Sequence, residues 1–358
     1  MADGGDEGFV EAEADGLVDG GVGGEEDGLG AGGEVGVADE GLDAVADEAE
    51  LGLGAEDVGA AAFDAGDGVG DLGLVGVADG VDALAELVAD ELVLGGLPQQ
   101  GQPLERAVRL LSAVRKLAGS ELFASVRSTN DFPTASGLAS SASGFAALAL
   151  AATRALGLDL PEEQVSSLAR SASASAARSL FGGYVELGTR AESAARVVEG
   201  AHWPLTMLVA VTSEAAKDTG STDGMQHTAR TSPFYPSWVS DAPRLFAEVK
   251  AAVLARDFER LAPAVEQSAL MMHASMLAAD PALIYFRSAT LNVIEVVRGL
   301  RRAGVPVCFT IDAGPHVKVL TQDESAEKAR QLLSQVPGVL RVLRSGPGPD
   351  ARVLEVSA

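Results

Sequence analysis

Residues 130–149 read NDFPTASGLASSASGFAALA, a run in which nearly every side chain is small. The preceding stretch ELFASVRSTNDF (121–132) alternates like a strand, and the spacing of apolar residues predicts a helix over about 138–156. The first turn of a helix leaves backbone N–H groups unpaired and carries the positive end of the helix dipole. This order of strand, small-residue loop and helix predicts either a phosphate-binding site or a well-capped, tightly packed helix.

The loop has the residue types that a phosphate site requires. Small side chains at the start of the helix would let phosphate oxygens approach the backbone N–H groups, and serine hydroxyls would supply further donors or a Mg²⁺ ligand. The loop is not a Walker A motif, because no Gly-Lys-Ser/Thr follows it. The candidate residues are Gly137, Leu138, Ala139, Ser140 and Ser141.

Three other stretches have compositions suited to a functional site. Arg178 lies near the end of the serine-rich run RSASASAARSLFGG (170–183), as either a solvated helix residue or a guanidinium that clamps a carboxylate or phosphate. Asp312 follows an apolar strand in VPVCFTIDAGPHVKVL (305–320), where it either opens a turn or acts as a general base. The third stretch, STDGMQHTARTSPFYPSW (221–238), is rich in hydroxyl, Met and aromatic residues and poor in regular periodicity.

Composition limits the class of protein. The chain has 358 residues, of which 47% are apolar, enough for one large domain or two ordinary ones. Its single cysteine, Cys308, excludes an intrachain disulfide and indicates a reducing compartment, while the apolar setting predicts a buried side chain rather than a nucleophile. No apolar run approaches membrane-spanning length, so a soluble cytoplasmic protein is expected. No basic patch indicates nucleic-acid binding, and the scattered histidines lack metal-ligand spacing.

Acidic residues concentrate in the first quarter of the chain. Residues 1–90 hold 26 of the 52 acidic residues and no Lys or Arg, whereas residues 91–358 carry 26 acidic and 26 basic residues. High charge and Gly content with few aromatics predicts disorder, apart from a short amphipathic helix over 81–94. Ala, Asp, Glu, Gly and Val are the residues whose codons begin with G, so we hypothesise that this segment is translated out of register.

Together these clusters resemble the diphosphomevalonate decarboxylases of the GHMP kinase superfamily. The opening run NDFPTASGLASSASGFAALA is similar to the phosphate-binding loop of that family. The resemblance covers about residues 91–345. The other matching stretches follow in the family's order: ARSLFGGYVE (177–186), DGMQHTARTSPFY (223–235), MHASML (272–277) and TIDAGPHVKVL (310–320).

The resemblance implies a two-lobed α+β fold with a cleft that binds ATP and Mg²⁺. The N-terminal lobe, of the ribosomal S5 domain 2-like type, would continue through residues 91–190. It would be incomplete, because the family's opening N-I-A-x-x-K-Y-W-G-K motif is absent from residues 1–90. The C-terminal lobe, over 191–358, would be ferredoxin-like. Dimers are common in the family, so a homodimer is a further expectation.

The resemblance also implies a reaction and assigns residues to it. Members of the family use ATP to phosphorylate the 3-hydroxyl of (R)-5-diphosphomevalonate, then eliminate phosphate and CO₂ to give isopentenyl diphosphate. Asp312 would orient and deprotonate the hydroxyl, and Arg178 would hold the carboxylate that departs. The loop residues 137–141 would hold the ATP phosphates. The substrate pocket would be lined by Ser173, Ser175, Ser221 and Met225.

Three functions remain open on the sequence. The first is the ATP-dependent decarboxylase, the second a GHMP-type kinase that phosphorylates a mevalonate-like alcohol and stops there, and the third a non-catalytic homologue or an inactive product with a defective N-terminus. The presence of both Asp312 and Arg178 favours the first. Departures from the family pattern are Ala172 and Ala174, where glycines are expected and extra methyls would crowd the substrate, and His316 in place of Asn.

Overall fold

Two four-stranded sheets organise the computed structural model, which describes residues 73–74, 87–129, 140–188, 191–215 and 219–353. In the first sheet, β2 and β4 run parallel, while β1–β4 and β2–β3 pair antiparallel. Its order is β1-β4-β2-β3, with β1 at Gly73–Leu74, β2 at Glu91–Leu94, β3 at Leu97–Pro98 and β4 at Ser125–Ser128. The predicted strand before the small-residue loop is therefore confirmed as β4.

Helices of the N-terminal region pack around one apolar core with this sheet. The first of these helices is α1 (Gln102–Ala118), and Gly119 ends it in the left-handed conformation with φ 63°. The helix predicted after the loop is α2 (Ser140–Ala155). Next come α3 (Glu162–Ala172), a 3₁₀ helix (Ala174–Leu180), and the antiparallel pair β5 (Tyr184–Glu186) and β6 (Ala195–Val198).

The amphipathic helix predicted over residues 81–94 is wrong for the part that the structure describes. Residues 91–94 form β2, which pairs in parallel with β4, and residues 81–86 lie outside the described chain. Asp90, just before β2, is buried and accepts two hydrogen bonds of 2.7 Å from Arg115 of α1 and one of 2.9 Å from the N–H of Ala124. Strand pairing and this ion pair outweigh the local helical spacing.

The second sheet has the order β10-β7-β9-β8, and all its pairs are antiparallel. Along the chain, its first strand is followed by helices, then by two adjacent strands, then by a helix and the last strand. This is the ferredoxin-like arrangement, which confirms the expectation for the C-terminal lobe. The strands are β7 (Leu205–Val211), β8 (Val307–Thr310), β9 (Val317–Gln322) and β10 (Arg341–Ser345).

Helices cover both faces of the second sheet. On one face, α7 (Ser288–Arg302) and α8 (Asp323–Ser334) enclose a core with alternate sheet residues such as Phe309. On the other face, α5 (Tyr235–Ala255) and α6 (Phe258–Leu277) pack against the sheet side chains that point the opposite way, such as Leu320. A shorter helix, α4 (Ser221–Thr231), precedes them, so the stretch 221–238, in which no periodicity was recognised, is largely helical.

After β10, residues 346–351 cross back to the N-terminal core, and we call them the return segment. The N–H of Gly183 donates to the carbonyl of Gly348 at 3.0 Å, and the N–H of Ala351 donates to that of Leu180 at 3.1 Å. The N–H of Gly182 donates to Asp350 Oδ1 at 2.7 Å. The return segment is thus fixed to the residues that directly follow the 3₁₀ helix.

The structure does not test three of the expectations about how the chain is organised. Residues 1–72 lie outside the described chain, so the out-of-register hypothesis and the incomplete N-terminal lobe stay predictions. The lobe boundary at residue 190 also stays a prediction. Within the described residues, none of the helices has the length and apolar character needed to span a bilayer.

Candidate active site

The helix predicted after the small-residue loop is described from Ser140 onward, and most of the loop lies outside the described residues. Gly137, Leu138 and Ala139 lie outside the described residues, and of Ser140 the structure describes only the backbone at the start of α2. Ser141 is exposed on the first turn, which contains no acidic side chain. The exposed, carboxylate-free start of α2 therefore meets the electrostatic requirement of an anion site.

The 3₁₀ helix 174–180 carries Arg178 into the protein interior. The residues around it are mostly alanine and serine, and their small side chains let the helix pack closely on α2 and α3. Arg178 is only 1% exposed, so the interpretation as a solvated helix residue is wrong. A guanidinium keeps its positive charge in such a setting, and its planar set of N–H groups suits the binding of a carboxylate or phosphate.

Ser173 and Ser175 lie at the start of the same 3₁₀ helix. Their hydroxyl oxygens are 3.2 Å apart, with Ser173 buried in extended backbone and Ser175 half-buried. The connection is tied to its surroundings, since Arg106 Nε donates to the carbonyl of Ala172 at 2.7 Å and Ser166 Oγ donates to that of Ala177 at 2.9 Å. The two serines and Arg178 therefore belong to one rigid turn of chain.

Asp312 lies in a loop (311–316) between the buried strands β8 and β9. The N–H of Gly314 donates to the carbonyl of Asp312 at 2.6 Å, so the residue does open a turn. Its carboxylate is free of that role and forms an ion pair with the ammonium of Lys318. The two sequence interpretations of Asp312 are therefore compatible: the backbone makes the turn and the side chain stays available for chemistry.

The main chain of the 311–316 loop is held from three elements. His273 of α6 donates from Nε2 to the carbonyl of Ile311 at 3.2 Å. The carbonyl of Pro315 accepts from Thr212 Oγ1 at 2.9 Å and from Thr290 Oγ1 at 2.7 Å. His316, at the position where Asn was expected, accepts from the N–H of Thr212 at 3.2 Å through Nδ1. The loop that presents Asp312 is thus anchored to β7, α6 and α7.

Met225 lies in an apolar cluster that reaches the same loop. The cluster joins α4, α5 and α6 to Ala313, the neighbour of Asp312, and contains Met225, Tyr235, Trp238, Met272 and Met276. Ser221 is four residues before Met225 on α4, so the two side chains share a face of that helix. Met225 thus belongs to the apolar cluster beside the Asp312 loop, and its role in lining a substrate pocket stays a prediction.

Two buried titratable groups near the sheet are kept neutral by their surroundings. Burial lowers the pKa of His273 to about 4, so its imidazole is uncharged at neutral pH. Cys308 is buried, as expected, and burial raises the pKa of its thiol. Neither group is suited to nucleophilic or general-acid chemistry at neutral pH.

The described contacts give two groups of site residues, one in each part of the fold. Ser173, Ser175 and Arg178 form the first, and the second joins Asp312, Lys318 and the Met225 cluster. Lys318 was missed from the sequence. A lysine between valines in VKVL gives no sequence signal of an internal charge, and it is the structure that places Lys318 on the same face of β9 as buried Leu320.

The two-lobed α+β fold with these two groups defines an enzyme of the GHMP kinase superfamily. The chain is similar to the structure of MDDEF in complex with MVAPP, AMPPCP and magnesium, with a TM-score of 0.69, 36% identity and coverage of 76% of this chain and 85% of that one. It is also similar to mevalonate diphosphate decarboxylase from Staphylococcus aureus, with a TM-score of 0.69, 36% identity and coverage of 75% and 83%.

Sequence comparison narrows the class to one family. The diphosphomevalonate decarboxylase-like N-terminal domain matches residues 79–197, and the mevalonate 5-diphosphate decarboxylase C-terminal domain matches residues 207–342. The diphosphomevalonate decarboxylase of Candida albicans is 34% identical over 258 residues, which cover 64% of this chain and 71% of that protein. The chain therefore belongs to the diphosphomevalonate decarboxylase family.

Proposed function

We propose that this protein catalyses the ATP-dependent decarboxylation of (R)-5-diphosphomevalonate to isopentenyl diphosphate, with release of ADP, phosphate and CO₂. Family membership and the fold support this activity. The observation that carries the mechanism is the carboxylate of Asp312 at the end of a buried strand, together with the buried guanidinium of Arg178. The Asp312 carboxylate can accept the proton of the hydroxyl that is phosphorylated. The Arg178 guanidinium can bind the substrate carboxylate that is released as CO₂.

In the first step, the 3-hydroxyl attacks the γ-phosphorus of ATP. Asp312 orients this hydroxyl and accepts its proton as the new O–P bond forms and the bond to ADP breaks. Phosphoryl transfer requires positioning and charge neutralisation more than covalent participation by the protein. Hydrogen bonds from His273, Thr212 and Thr290 hold the 311–316 loop in place, and the loop in turn positions Asp312.

In the second step, the C–CO₂⁻ bond breaks and its electron pair forms the new C=C bond as phosphate departs from C3. Arg178 binds the substrate carboxylate through paired N–H donors and holds this bond in line with the leaving group. The carboxylate becomes neutral CO₂, so its attraction to the guanidinium weakens as the reaction proceeds. The rigid 3₁₀ helix restricts Arg178 to this orientation.

The remaining candidate residues are assigned to binding. Ser173, Ser175, Ser221 and Met225 contact the substrate, and the serine pair adds two adjacent hydroxyls beside Arg178. Residues 137–141, at the start of α2, hold the ATP phosphates through backbone N–H groups. Ala172 and Ala174 flank Ser173 in buried positions, and their methyl groups narrow the substrate side of the site relative to glycine.

Mg²⁺ fits this site as a partner of the nucleotide. The described residues contain no group of three His, Cys, Asp or Glu side chains arranged to hold a metal. Mg²⁺ commonly binds through one or two protein ligands together with substrate phosphates, and a serine hydroxyl at the start of α2 would meet that requirement. When bound, the ion would neutralise charge on the phosphates.

The second candidate function is phosphorylation without decarboxylation. Burial of Arg178 argues against it, because a kinase that stops at the phosphate ester has no departing carboxylate to hold. The two functions separate in one assay on the full chain supplied with ATP, Mg²⁺ and diphosphomevalonate. Equal amounts of ADP and CO₂ support the decarboxylase, whereas ADP without CO₂ supports the kinase.

Asp312→Asn tests the catalytic assignment. The amide keeps the size of the side chain but accepts a proton poorly, so kcat is expected to fall by about 10² to 10⁴. Circular dichroism and the thermal unfolding midpoint would check that the variant is folded. Near-normal kcat in a folded variant would remove Asp312 from the mechanism while leaving the overall activity standing.

We also propose where the protein is located in the cell and how many copies of the chain associate. A single buried thiol, Cys308, suits a reducing compartment, and we place the protein in the cytoplasm. We retain the homodimer as the expected assembly, and light scattering on the purified chain would test it.

A further inference from the structure

We propose that Lys318 is a positioning residue for Asp312, holding its carboxylate in the orientation that receives the substrate hydroxyl. This inference rests on the proposed function, because it gives Lys318 a role only through the reaction that Asp312 serves. It extends that function to a buried residue on an interior strand of the sheet, where a charged side chain is uncommon.

The location of Lys318 excludes an ordinary surface role. It belongs to β9, which is paired on both sides, with Val209 of β7 and Thr310 of β8 as its neighbours across the sheet. Its side chain is 2% exposed, and the carboxylate that it pairs with is 13% exposed. The ammonium therefore lies inside the lobe, on the face of the sheet covered by α5 and α6. From there it contacts the Asp312 carboxylate in the 311–316 loop.

The contact from Lys318 differs in kind from the other anchors of the loop. His273, Thr212 and Thr290 all bind main-chain carbonyls and fix where the backbone lies. Lys318 instead reaches Oδ2 of the Asp312 carboxylate and fixes how the side chain is turned. With Oδ2 engaged, the carboxylate presents Oδ1 to the substrate hydroxyl.

Energetic considerations also favour a functional role for this pair. A buried ion pair loses the hydration of both groups, and an apolar pair of similar volume is often at least as stable. Here the cost is placed next to a site that must hold a triphosphate and a diphosphate. The Lys318 ammonium offsets the charge of Asp312, so the carboxylate repels these anionic substrates less than it would alone.

A kinetic double-mutant cycle tests the role. We expect Lys318→Met to lower kcat by about 10²-fold through misorientation of the carboxylate, with a much smaller change in KM. Because Lys318 acts through Asp312, adding Lys318→Met to Asp312→Asn should cause little further loss. Independent, multiplicative losses, or an unchanged kcat in Lys318→Met, would overturn the proposal.

Arg301→Met is the matched control. Arg301 forms another partly buried ion pair in this lobe, with Glu266 at 2.5 Å, and Glu266 also accepts from the N–H of Phe309 at 3.3 Å. That pair joins α6, α7 and β8 without contacting the 311–316 loop in the described interactions. We expect lower stability in this variant but a kcat close to wild type, and a 10²-fold loss here would show that any buried charge in the lobe has the effect attributed to Lys318.

A double-mutant cycle on the free energy of unfolding tests the Lys318–Asp312 ion pair independently of enzyme activity. Lys318→Met leaves the Asp312 carboxylate buried beside a methionine, so its urea midpoint should fall, and Asp312→Asn added to it should recover part of the loss. No recovery in the double variant would mean that the pair does not form, which overturns the inference. A wild-type chain that releases no CO₂ would instead overturn the proposed function and the role built on it, whereas an active wild type with an equally active Lys318→Met overturns this inference alone.

Discussion

Arg178 shows how the type and place of one side chain restrict the chemistry at a site. Its guanidinium is held in the interior by a 3₁₀ helix whose alanines, Ala176 and Ala177, are fully buried. A guanidinium keeps its charge in such a place and offers N–H groups in a planar fork that matches both oxygens of a carboxylate. A lysine ammonium is a point charge that cannot reproduce this fork.

Arg178→Lys is therefore expected to lower kcat by about 10² to 10³, the range found when one preorganised donor to a reacting group is lost. The charge remains, so substrate binding should weaken less than turnover. Steady-state CO₂ release and KM for diphosphomevalonate would measure the two effects separately. A variant with wild-type kcat would show that charge alone, and not the fork, is what the site uses.

Sequence motifs pointed to two of the proposed site residues, Arg178 and Asp312, but not to Lys318. Arg178 and Asp312 lie in runs with a recognisable order of small residues and glycine, so both could be chosen without a structure. Lys318 could not, because a lysine between valines in VKVL reads as the solvent side of an alternating strand. Only the helices on both faces of the sheet reveal that this position is internal.

Among the elements, β2 and the return segment show how distant chain segments decide local structure. The pattern that favours a helix before residue 94 is overridden by the parallel neighbour β4 and by the Asp90–Arg115 ion pair, neither of which is visible within that window of sequence. In contrast, the helix predicted over about 138–156 is present as α2 (Ser140–Ala155), because its apolar spacing is a local signal.

Gly182→Ala tests the return segment. A Cβ at Gly182 would lie 2.5 Å from the carbonyl oxygen of Gly348 and 2.6 Å from the carbonyl carbon of Pro349, both rigid backbone atoms. The methyl must displace the return segment, so the free energy of unfolding should fall by about 1 to 3 kcal/mol. Since Arg178 is only four residues earlier, kcat should fall as well.

Gly299→Ala provides the control for this change. Gly299 lies within α7, and the nearest atom to its added Cβ is Arg302 Nη2 at 4.0 Å. Alanine favours a helix interior by about 0.5 to 1 kcal/mol over glycine, so this variant should be slightly more stable with unchanged kcat. Urea unfolding of both variants would make the comparison, and equal stabilities would contradict the contact described for Gly182.

For the molecule as a whole, the ferredoxin-like lobe explains why stability should depend on pH below neutrality. Its two helical layers bury His273 between α6 and the sheet, against Phe286 with ring centres 4.4 Å apart. Its pKa falls to about 4, whereas an unfolded histidine titrates near 6.5. The unfolded chain therefore binds the proton more readily than the folded chain between these two values.

The free energy of unfolding should thus decrease as the pH is lowered from about 6.5 towards 4, with a total contribution from His273 of roughly 3 kcal/mol. Above pH 6.5 this group contributes no slope. His273→Gln keeps a donor for the carbonyl of Ile311 but does not titrate, so its profile should be flatter. Urea titrations at pH 7, 6 and 5 would measure both proteins, and parallel profiles would contradict the assignment.

The overall architecture could be predicted only for the part of the chain that resembles a known family. The order of the second sheet followed from that resemblance, since the four strands are separated by up to four helices and periodicity alone cannot pair them. The physical reason is that antiparallel register between β7 and β9, more than a hundred residues apart, is decided by which faces both helical layers cover.

The return segment also has a consequence for biosynthesis. Gly182 and Gly183 donate hydrogen bonds to residues 350 and 348, and Leu180 accepts one from residue 351, all of which the ribosome makes well over a hundred positions later. An emerging chain can therefore form most of the N-terminal core while the turn after Arg178 still lacks its final contacts. We therefore expect catalytic activity only after residue 351 has left the ribosome, and a nascent chain stalled before that point should be partly folded and release no CO₂ in the assay.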